Sequence, residues 1–209
     1  MHRGMSKTNT GLVKEIPDNL LGFDTNQTIT AEAAKSFYDA GYRYAVRYVY
    51  RKVPPPYDFN LTAEETATIL GAGLGLMVVQ NVRPPDWRPT GDMGSSDGNA
   101  AGATATSANV PPGVTVWCDL EGVAAGTPAS DVTAYCNAWY DAVAWHGFRP
   151  GIYIGYAPGL SMDQLYLNQK FQSYWQAFNV SGEIPNRGYQ LLQKNPKKEF
   201  GYEFDPDVT

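Results

Sequence analysis

Short apolar runs alternate with helical patterns along this chain, and this alternation constrains the fold more than any other feature of the sequence. Runs rich in aromatic and β-branched residues predict strands at 42–50, 74–82 and 149–156. Between the strands, apolar residues recur at helical spacing, as in 28–41 and 128–147. Strands that alternate with helices form parallel sheets, and strands that are almost wholly apolar are buried on both faces. The sequence therefore predicts an α/β protein.

The number and order of the strands predict how the sheet is arranged. About eight strands are expected, with helices between the first five or six. The last three predicted strands, at 173–178, 188–193 and 200–208, follow one another without long helices between them. This pattern predicts a single (β/α) barrel of the TIM type whose helices are reduced or missing in the C-terminal half; a doubly wound open sheet is the alternative. The barrel domain is expected over 19–209, after a polar N-terminal extension over 1–18.

Two helical segments differ in how clearly the sequence marks them. Residues 83–98 are rich in Pro, Gly and Asp, which predicts a loop, and a helix of small residues is expected after it, over 99–110. The segment 128–147 is the clearest helix, and Ser130 is its expected N-cap.

Charge and composition exclude several classes of function. The formal net charge is −5, and no basic run extends beyond Lys197-Lys198, so no nucleic-acid partner is expected. No apolar segment approaches the ~20 residues that a membrane-spanning helix needs. Two cysteines and two histidines cannot supply a structural zinc site at any usual spacing, and we expect neither a metal nor a cofactor. Cys118 and Cys136 are expected to be buried free thiols, with a single disulfide as the alternative. We expect a monomer.

Acidic residues lie at the ends of several predicted strands. Asp24 ends the first strand, Asp119 and Glu121 end the strand that begins near 114, and Asp205 and Asp207 lie in the last strand. Side chains alternate along a strand, so Asp119 and Glu121 point the same way. A closed barrel makes the first and last strands neighbours. Closure would therefore gather Asp24, Asp119, Glu121 and Asp205 around one pocket, at the end of the barrel where active sites occur.

Crowded carboxylates have a chemical consequence. Like charges packed closely cannot all stay ionised, so at least one pKa rises. A carboxylic acid that keeps its proton near neutral pH can protonate a glycosidic oxygen, while neighbouring carboxylates stabilise an oxocarbenium-like centre. Glu121 has the longer side chain, which suits proton delivery. A divalent-metal site is the alternative use of such a cluster, because hard cations take oxygen ligands.

Aromatic and amide side chains at or near strand ends are candidates for binding a sugar. Aromatic rings stack on the apolar faces of sugar rings, and amides hydrogen-bond to hydroxyl or acetamido groups. The candidates are Tyr48, Tyr50, Gln80, Tyr153, Trp175 and Gln190.

Six short motifs occur in an order that resembles a known family. They are GFDT at 22–25, WCDLEG at 117–122, GIYIGY at 151–156, YWQAF at 174–178, GYQLLQ at 188–193 and FDPDV at 204–208. Over about 20–208 the chain resembles glycoside hydrolase family 25 lysozymes, and more closely the related bacterial glycoside hydrolase-like family (domain of unknown function 1906).

The resemblance implies a β/α barrel that cleaves the β-1,4 bond after N-acetylmuramic acid in peptidoglycan. By motif, Glu121 matches the general acid, and Asp119 the carboxylate that orients the N-acetyl group or stabilises the transition state. Asp24 and Asp205 match the acids of the first and last strands. The N-acetyl group of the substrate itself can act as the nucleophile.

The resemblance also implies an extracellular or periplasmic location, although no export signal is visible in 1–18. Two other functions are kept as alternatives: a non-catalytic module that binds cell-wall glycan on a degenerate barrel, and a hydrolase of another glycan, with or without a metal.

Overall fold

The computed structural model describes residues 13–51, 59–81 and 83–209. In chain order the elements are β1 (Leu21–Thr25), α1 (Ala31–Asp39), β2 (Tyr44–Val49), α2 (Ala63–Gly71), β3 (Gly75–Gln80), α3 (Gly91–Ser107), β4 (Thr115–Leu120), α4 (Ala129–Trp145), β5 (Arg149–Ile154), α5 (Met162–Leu167), β6 (Tyr174–Gln176), β7 (Leu191–Gln193), β8 (Lys197–Glu199) and β9 (Tyr202–Val208). None of these helices is both long and apolar enough to cross a bilayer.

Eight of the strands close into a barrel, which confirms the predicted fold class. Strands β1 to β7 are parallel neighbours in chain order, and β9 pairs with both β7 and β1. The closing strand is antiparallel to both neighbours, which the sequence-based expectation of a parallel sheet did not include. The reason is the connection: no crossover helix joins β7 to β9, and a parallel pairing requires one. Strand β8 forms a hairpin with β9 outside the barrel.

Alternation along the strands sorts side chains into two apolar layers. Outward-facing residues pack under the helices; the ring of Phe23 in β1, for example, stacks on Phe37 of α1 at 3.8 Å between centroids. Inward-facing residues fill the barrel with Tyr44, Val46, Met77, Val79, Trp117, Trp175 and Leu191. The barrel is therefore a packed core, and its open space lies only at its ends.

A buried ion pair fixes the outer face of β2. The Arg47 side chain donates to Glu65 of α2 at 2.6 Å and to the carbonyl oxygen of Thr25 at 2.6 Å. Glu65 also accepts the backbone N–H of Ile29 at 2.8 Å. Both side chains are almost completely buried, so loss of either partner would leave the other charged and unpaired, at a cost of about 3–5 kcal/mol.

Helix α3 begins earlier than predicted, because residues 91–98 of the expected loop are helical. The glycines that suggested a loop instead permit close helix packing. A Cβ atom at Gly94 would lie 2.1 Å from the carbonyl oxygen of Tyr135 in α4, and one at Gly98 would lie 2.6 Å from that of Trp139. Propensity predicts against this helix, and tertiary packing overrides it. The N-cap of α4 is Pro128, without a side-chain hydrogen bond, and not Ser130.

Part of the predicted N-terminal extension contacts the barrel. Ile16 of the extension packs against the interior side chains, as does Leu20 just after it. The hydroxyl of Thr209 donates to the carbonyl oxygen of Pro17 at 2.8 Å, and the N–H of Asn19 donates to the Thr209 carbonyl at 2.8 Å. The contacts tie the start of β1 to the end of β9. Residues 1–12 of the extension lie outside the described residues. Both cysteines are free and buried.

We predict that Gly98→Ala destabilises the protein by about 1–3 kcal/mol, because the added methyl group overpacks the α3–α4 interface. Gly91→Ala is the matched control in the same helix, since a Cβ there would meet its nearest atom at an ordinary 3.8 Å. Urea unfolding of both variants measures the difference. Equal stabilities of the two variants would show that close helix approach does not require Gly98.

Candidate active site

Three of the four predicted catalytic acids lie in strands of the barrel, and the fourth follows one directly. Asp24 is in β1, Asp119 in β4 and Asp205 in β9, and Glu121 comes just after β4. The neighbours Phe23, Cys118 and Leu120 pack outward under the helices. Alternation therefore turns Asp24 and Asp119 toward the barrel axis near the carboxyl ends of their strands.

Asp24 and Asp205 face each other across the closing seam. They are paired residues of the antiparallel β1–β9 ladder, where like charges directly opposite are unfavourable. The amide of Gln193, the last residue of β7, lies between them. Its Nε2 donates to Asp24 Oδ2 at 2.9 Å and to Asp205 Oδ2 at 3.1 Å. One amide group thus bridges both carboxyl groups and offsets part of their repulsion.

Two tyrosines complete this hydrogen-bond network. The hydroxyl of Tyr48 donates to Asp24 Oδ1 at 3.2 Å, and that of Tyr153 donates to Gln193 Oε1 at 3.0 Å. Gln193 is thereby held with its Nε2 toward the two acids.

The Tyr153 phenol is also influenced by the charges of the four acids. Burial raises the pKa of its phenol, and the negative charges of Asp119, Glu121, Asp24 and Asp205 raise it further. All four predicted carboxyl groups therefore lie within electrostatic range of one hydroxyl.

Burial and crowding raise the pKa of the acids at the seam. Burial is the main cause for Asp24, the charge of Asp205 adds to it, and hydrogen bonds from Gln193 and Tyr48 oppose it; the resulting pKa is about 7. Burial, followed by the charge of Glu203, raises the pKa of Asp205 to about 6. The protonated form of Asp24 is therefore substantially populated near neutral pH.

Asp119 is the second-last residue of β4, and Glu121 follows that strand directly. Burial, followed by the charges of Glu121 and Asp24, raises the pKa of Asp119 well above its usual value, while the charge of Arg51 opposes the shift. Burial also raises the pKa of Glu121, and a hydrogen bond from the backbone of Tyr156 lowers it. Asp119 Oδ1 is buried and has no hydrogen-bond partner among the described residues.

Gly155 creates the space that Glu121 occupies. A Cβ atom at this position would lie 2.2 Å from Glu121 Oε2 and 2.5 Å from Glu121 Cβ. Any larger residue after β5 would have to displace the acid.

A cavity of about 850 Å³ opens over the seam. Its lining includes Asp24, Tyr48 and Asp205 from the barrel strands and Phe200 and Tyr202 from the β8–β9 hairpin. This volume lies within the usual range of ligand sites, about 300–1,000 Å³. The hairpin therefore turns the end of the barrel into a groove.

Four of the predicted sugar-binding residues have other surroundings. Tyr50 is buried, with its ring 5.9 Å from that of Phe59. Trp175 is 1% exposed in the barrel interior, where its Nε1 donates to Asp207 at 2.9 Å. Its ring therefore has no free face at the surface.

The two glutamines also have structural partners. Gln80 points outward and bonds the indole of Trp139 and the carbonyl oxygen of Asp97, both at 2.6 Å. Gln190 precedes β7, at the opposite end of the barrel from the acids, where it accepts the N–H of Tyr174 at 2.8 Å. Of the six candidates, Tyr48 and Tyr153 are the ones that contact the network of acids.

The structure brings further residues to the site that sequence reasoning missed. The sequence pattern favours Gln190, whereas Gln193 is the residue at the carboxyl end of β7, where the acids of the other parallel strands lie. Three aromatic residues beyond strand ends are 45–46% exposed and can present a face to a sugar: Tyr156, Phe178 and Phe200. Within the described ranges, no group of three or more His, Cys, Asp or Glu side chains is arranged to hold a metal ion.

We predict that Asp24→Asn reduces the pH dependence of stability. The folded protein keeps the Asp24 proton up to about pH 7, whereas the unfolded chain loses it near the ordinary value. The protonated Asp24 carboxyl group therefore adds to the free energy of unfolding at low pH, and this contribution is lost as the pH rises to about 7. Between about pH 4 and 8, the free energy of unfolding should fall by about 2–4 kcal/mol less in the variant than in the wild type, as measured by urea unfolding. The exposed Asp163→Asn is the control; an unchanged slope in Asp24→Asn would contradict the prediction.

Comparison with solved structures places this barrel among lysozyme-like folds. The chain is similar to the Tat-secreted protein Rv2525c of Mycobacterium tuberculosis in complex with L-tartrate, with 16% identity, a TM-score of 0.69 and coverage of 92% of this chain and 95% of that one. It is similar to a family 25 glycosyl hydrolase of Bacillus anthracis, with 13% identity, a TM-score of 0.62 and coverage of 91% and 88%. It is also similar to a muramidase of Trichobolus zukalii, with 20% identity, a TM-score of 0.59 and coverage of 89% of this chain and 92% of that one.

At such identities the structural likeness shows the fold alone. No curated protein matches the chain in sequence. The model of the Rv2525c-like, glycoside hydrolase-like domain matches residues 35–200, which span most of the barrel. The chain therefore belongs to the Rv2525c-like, glycoside hydrolase-like family.

Proposed function

We propose that this protein hydrolyses a glycosidic bond of peptidoglycan, with Glu121 as the general acid. The observation that supports the proposal is the pairing of Asp24 with Asp205 across the seam, bridged by Gln193, with Asp119 and Glu121 at the end of β4 on the same end of a lysozyme-like barrel. Acids with raised pKa values are characteristic of active sites, and glycoside hydrolysis uses a pair of carboxyl groups of which one keeps its proton. We also propose that the protein acts outside the cytoplasm, where this substrate lies; the similar protein Rv2525c is Tat-secreted.

In the proposed reaction, protonated Glu121 gives its proton to the glycosidic oxygen as the bond to the anomeric carbon breaks. The acetamido oxygen of the sugar that carries this anomeric carbon attacks it from the face opposite the leaving oxygen. Asp119 accepts a hydrogen bond from the acetamido N–H and so stabilises the positive charge that develops on the acetamido group. Glu121, now ionised, takes a proton from the water that opens the ring intermediate.

The seam acids have a supporting role in this proposal. Asp24 and Asp205, bridged by Gln193, line the groove and give it a negative potential to the extent that they are ionised. Their charge favours the cationic, oxocarbenium-like transition state over the neutral substrate. Exposed Tyr156 and Phe178 offer faces on which sugar rings can stack.

We predict that Glu121→Gln lowers the rate of peptidoglycan cleavage by about 10²–10⁴-fold, because the amide cannot protonate the leaving oxygen. Release of new reducing ends from purified cell walls measures the rate, and identification of the terminal sugar identifies the bond. Glu64→Gln, an exposed residue of α2, is the matched control.

Three results of this experiment would redirect the proposal. Undiminished cleavage by Glu121→Gln would remove Glu121 from the mechanism. Binding of cell walls without product by the wild type would favour a glycan-binding module. Cleavage of a different glycan, but not of cell walls, would favour a hydrolase with another substrate.

We also predict that Gly155→Ala lowers kcat by at least about tenfold with little change in KM, because the added methyl group displaces the Glu121 carboxyl group. Gly71→Ala at the end of α2 is the control, since a Cβ there meets no atom within 4 Å. Circular dichroism checks that both variants fold. Wild-type kcat in Gly155→Ala would show that the position of Glu121 does not depend on this glycine.

A further inference from the structure

The segment that carries Glu121 continues the sheet beyond the end of β4. This acid-bearing segment, residues 121–124, lies between the loop that follows β3 and the loop that follows β5. On one side, Trp87 of the β3–α3 loop forms a parallel β-bridge with Val123. On the other side, the N–H of Val123 donates to the carbonyl oxygen of Ala157 in the β5–α5 loop at 3.0 Å. The backbone of the segment is therefore held by both neighbouring loops.

Gly122 is bound in the same way and leaves no room for a side chain. Its N–H donates to the carbonyl oxygen of Tyr156 at 2.8 Å, and its own carbonyl oxygen accepts the N–H of Asp86 at 2.9 Å. Its φ of 65° lies in the left-handed region that favours glycine. A Cβ atom here would lie 3.0 Å from the Tyr156 hydroxyl and 3.3 Å from Pro85 Cα. A larger residue would therefore push the segment away from both loops.

Each of the two loops contains a residue in an unfavourable backbone conformation at its contact with the segment. Asp86 has a φ of 64° and Ala157 a φ of 46°. Residues other than glycine adopt this region at a cost in free energy, and they remain there where surrounding contacts require it. Asp86 donates the bond to Gly122, and Ala157 accepts the bond from Val123. The strain thus coincides with the hydrogen bonds that hold the segment.

The side chain of Trp87 binds the backbone of Glu121 itself. Its indole Nε1 donates to the carbonyl oxygen of Glu121 at 2.8 Å. The ring is 8% exposed and packs edge-on against Tyr135 of α4, at 4.9 Å between centroids. Tyr135 donates to Asp97 at 2.9 Å, and Asp97 is paired with Arg83. The outer layer therefore fixes the indole, and the indole fixes the peptide group next to the acid.

We propose that Trp87 is a positioning residue for Glu121, which acts through the backbone of 121–124 and holds the carboxyl group where it can deliver its proton. This inference rests on the proposed function, in which Glu121 is the general acid. The indole N–H is used by the Glu121 carbonyl oxygen, so Trp87 acts without touching the substrate. The Glu121 carboxyl group accepts a hydrogen bond from the backbone of Tyr156, whose carbonyl oxygen binds Gly122. A displaced segment would therefore lose this bond as well.

The test compares Trp87→Phe with Trp139→Phe. Both substitutions keep an aromatic ring and delete one indole hydrogen bond, but the Trp139 indole donates to Gln80 in the outer layer, at 2.6 Å. NMR of isotopically labelled glutamate carboxyl groups follows the titration of Glu121, and Glu121→Gln assigns its signal. We expect Trp87→Phe to raise the pKa of Glu121, because the hydrogen bond from Tyr156 favours the ionised form. Trp139→Phe should leave this pKa unchanged.

Activity on cell walls gives a second measurement. Trp87→Phe should lower kcat about tenfold with little change in KM, because the acid is displaced while the groove is intact. Loss of activity above the optimum pH reports ionisation of the general acid, so this part of the pH profile should move to higher pH. Asp119 and Tyr153 are the titratable groups that interact electrostatically with Glu121, and the substitution leaves both in place.

A glycine pair makes the test independent of how well Trp87→Phe folds. Gly122→Ala and Gly126→Ala both place alanine in a left-handed backbone, in the same loop. At Gly126 a Cβ meets no atom within 4 Å, in contrast to Gly122. We expect Gly122→Ala to raise the pKa of Glu121 and to lower kcat, and Gly126→Ala to change neither. Thermal unfolding checks that all variants are folded.

The outcomes distinguish this inference from the proposed hydrolysis. An unchanged titration of Glu121 in Trp87→Phe and Gly122→Ala would overturn the positioning role, and so would equal shifts in the control variants. Wild-type kcat together with a shifted titration would overturn it too, since the acid would then work equally well from a displaced position. The titration needs no substrate, so absence of cleavage by the wild-type protein would overturn the proposed hydrolysis alone.

Discussion

The double pairing of β9 is the constraint on which the rest of the site depends. This strand forms backbone ladders with β1 on one edge and with β7 on the other, so the barrel has no open edge. Closure sets Asp205 opposite Asp24, although 181 positions separate them in sequence. The backbone hydrogen bonds of the ladder hold two acids at a separation that their charges alone would not favour.

The packed interior below the acids explains why their pKa values rise. Trp117, Trp175 and Tyr44 fill the barrel and exclude water from its core. Asp207 lies two residues after Asp205 in β9 and is fully buried. Burial raises its pKa well above the usual range. In such surroundings the charged form of a carboxyl group is poorly solvated, so protons are retained to higher pH. The aromatic core thus stabilises the fold and, in the proposed reaction, helps the acids to retain protons.

The outer layer holds the strand ends in place. Helices α3 and α4 approach closely at Gly94 and Gly98, and Gln80 links their side of the barrel to β3 through Trp139. The buried Arg47–Glu65 pair fixes β2 against α2 on the neighbouring side. These contacts involve residues that have no part in the proposed chemistry. In the proposed reaction they act by holding groups in position, because a displacement of about 1 Å can lower a rate about a hundredfold.

Periodicity and composition were enough to predict the α/β barrel, with an open sheet as the alternative, and to single out the acids near strand ends, since these are local patterns. They did not determine which way the last strand runs, that residues 91–98 are helical, or that Gln193 bridges the seam while Gln190 lies at the opposite end. These features depend on contacts between segments distant in the chain: pairing across the seam, backbone approach between two helices, and the register of a three-residue strand. The folded chain sets these features, because a local pattern carries no information about which distant segment will become its neighbour.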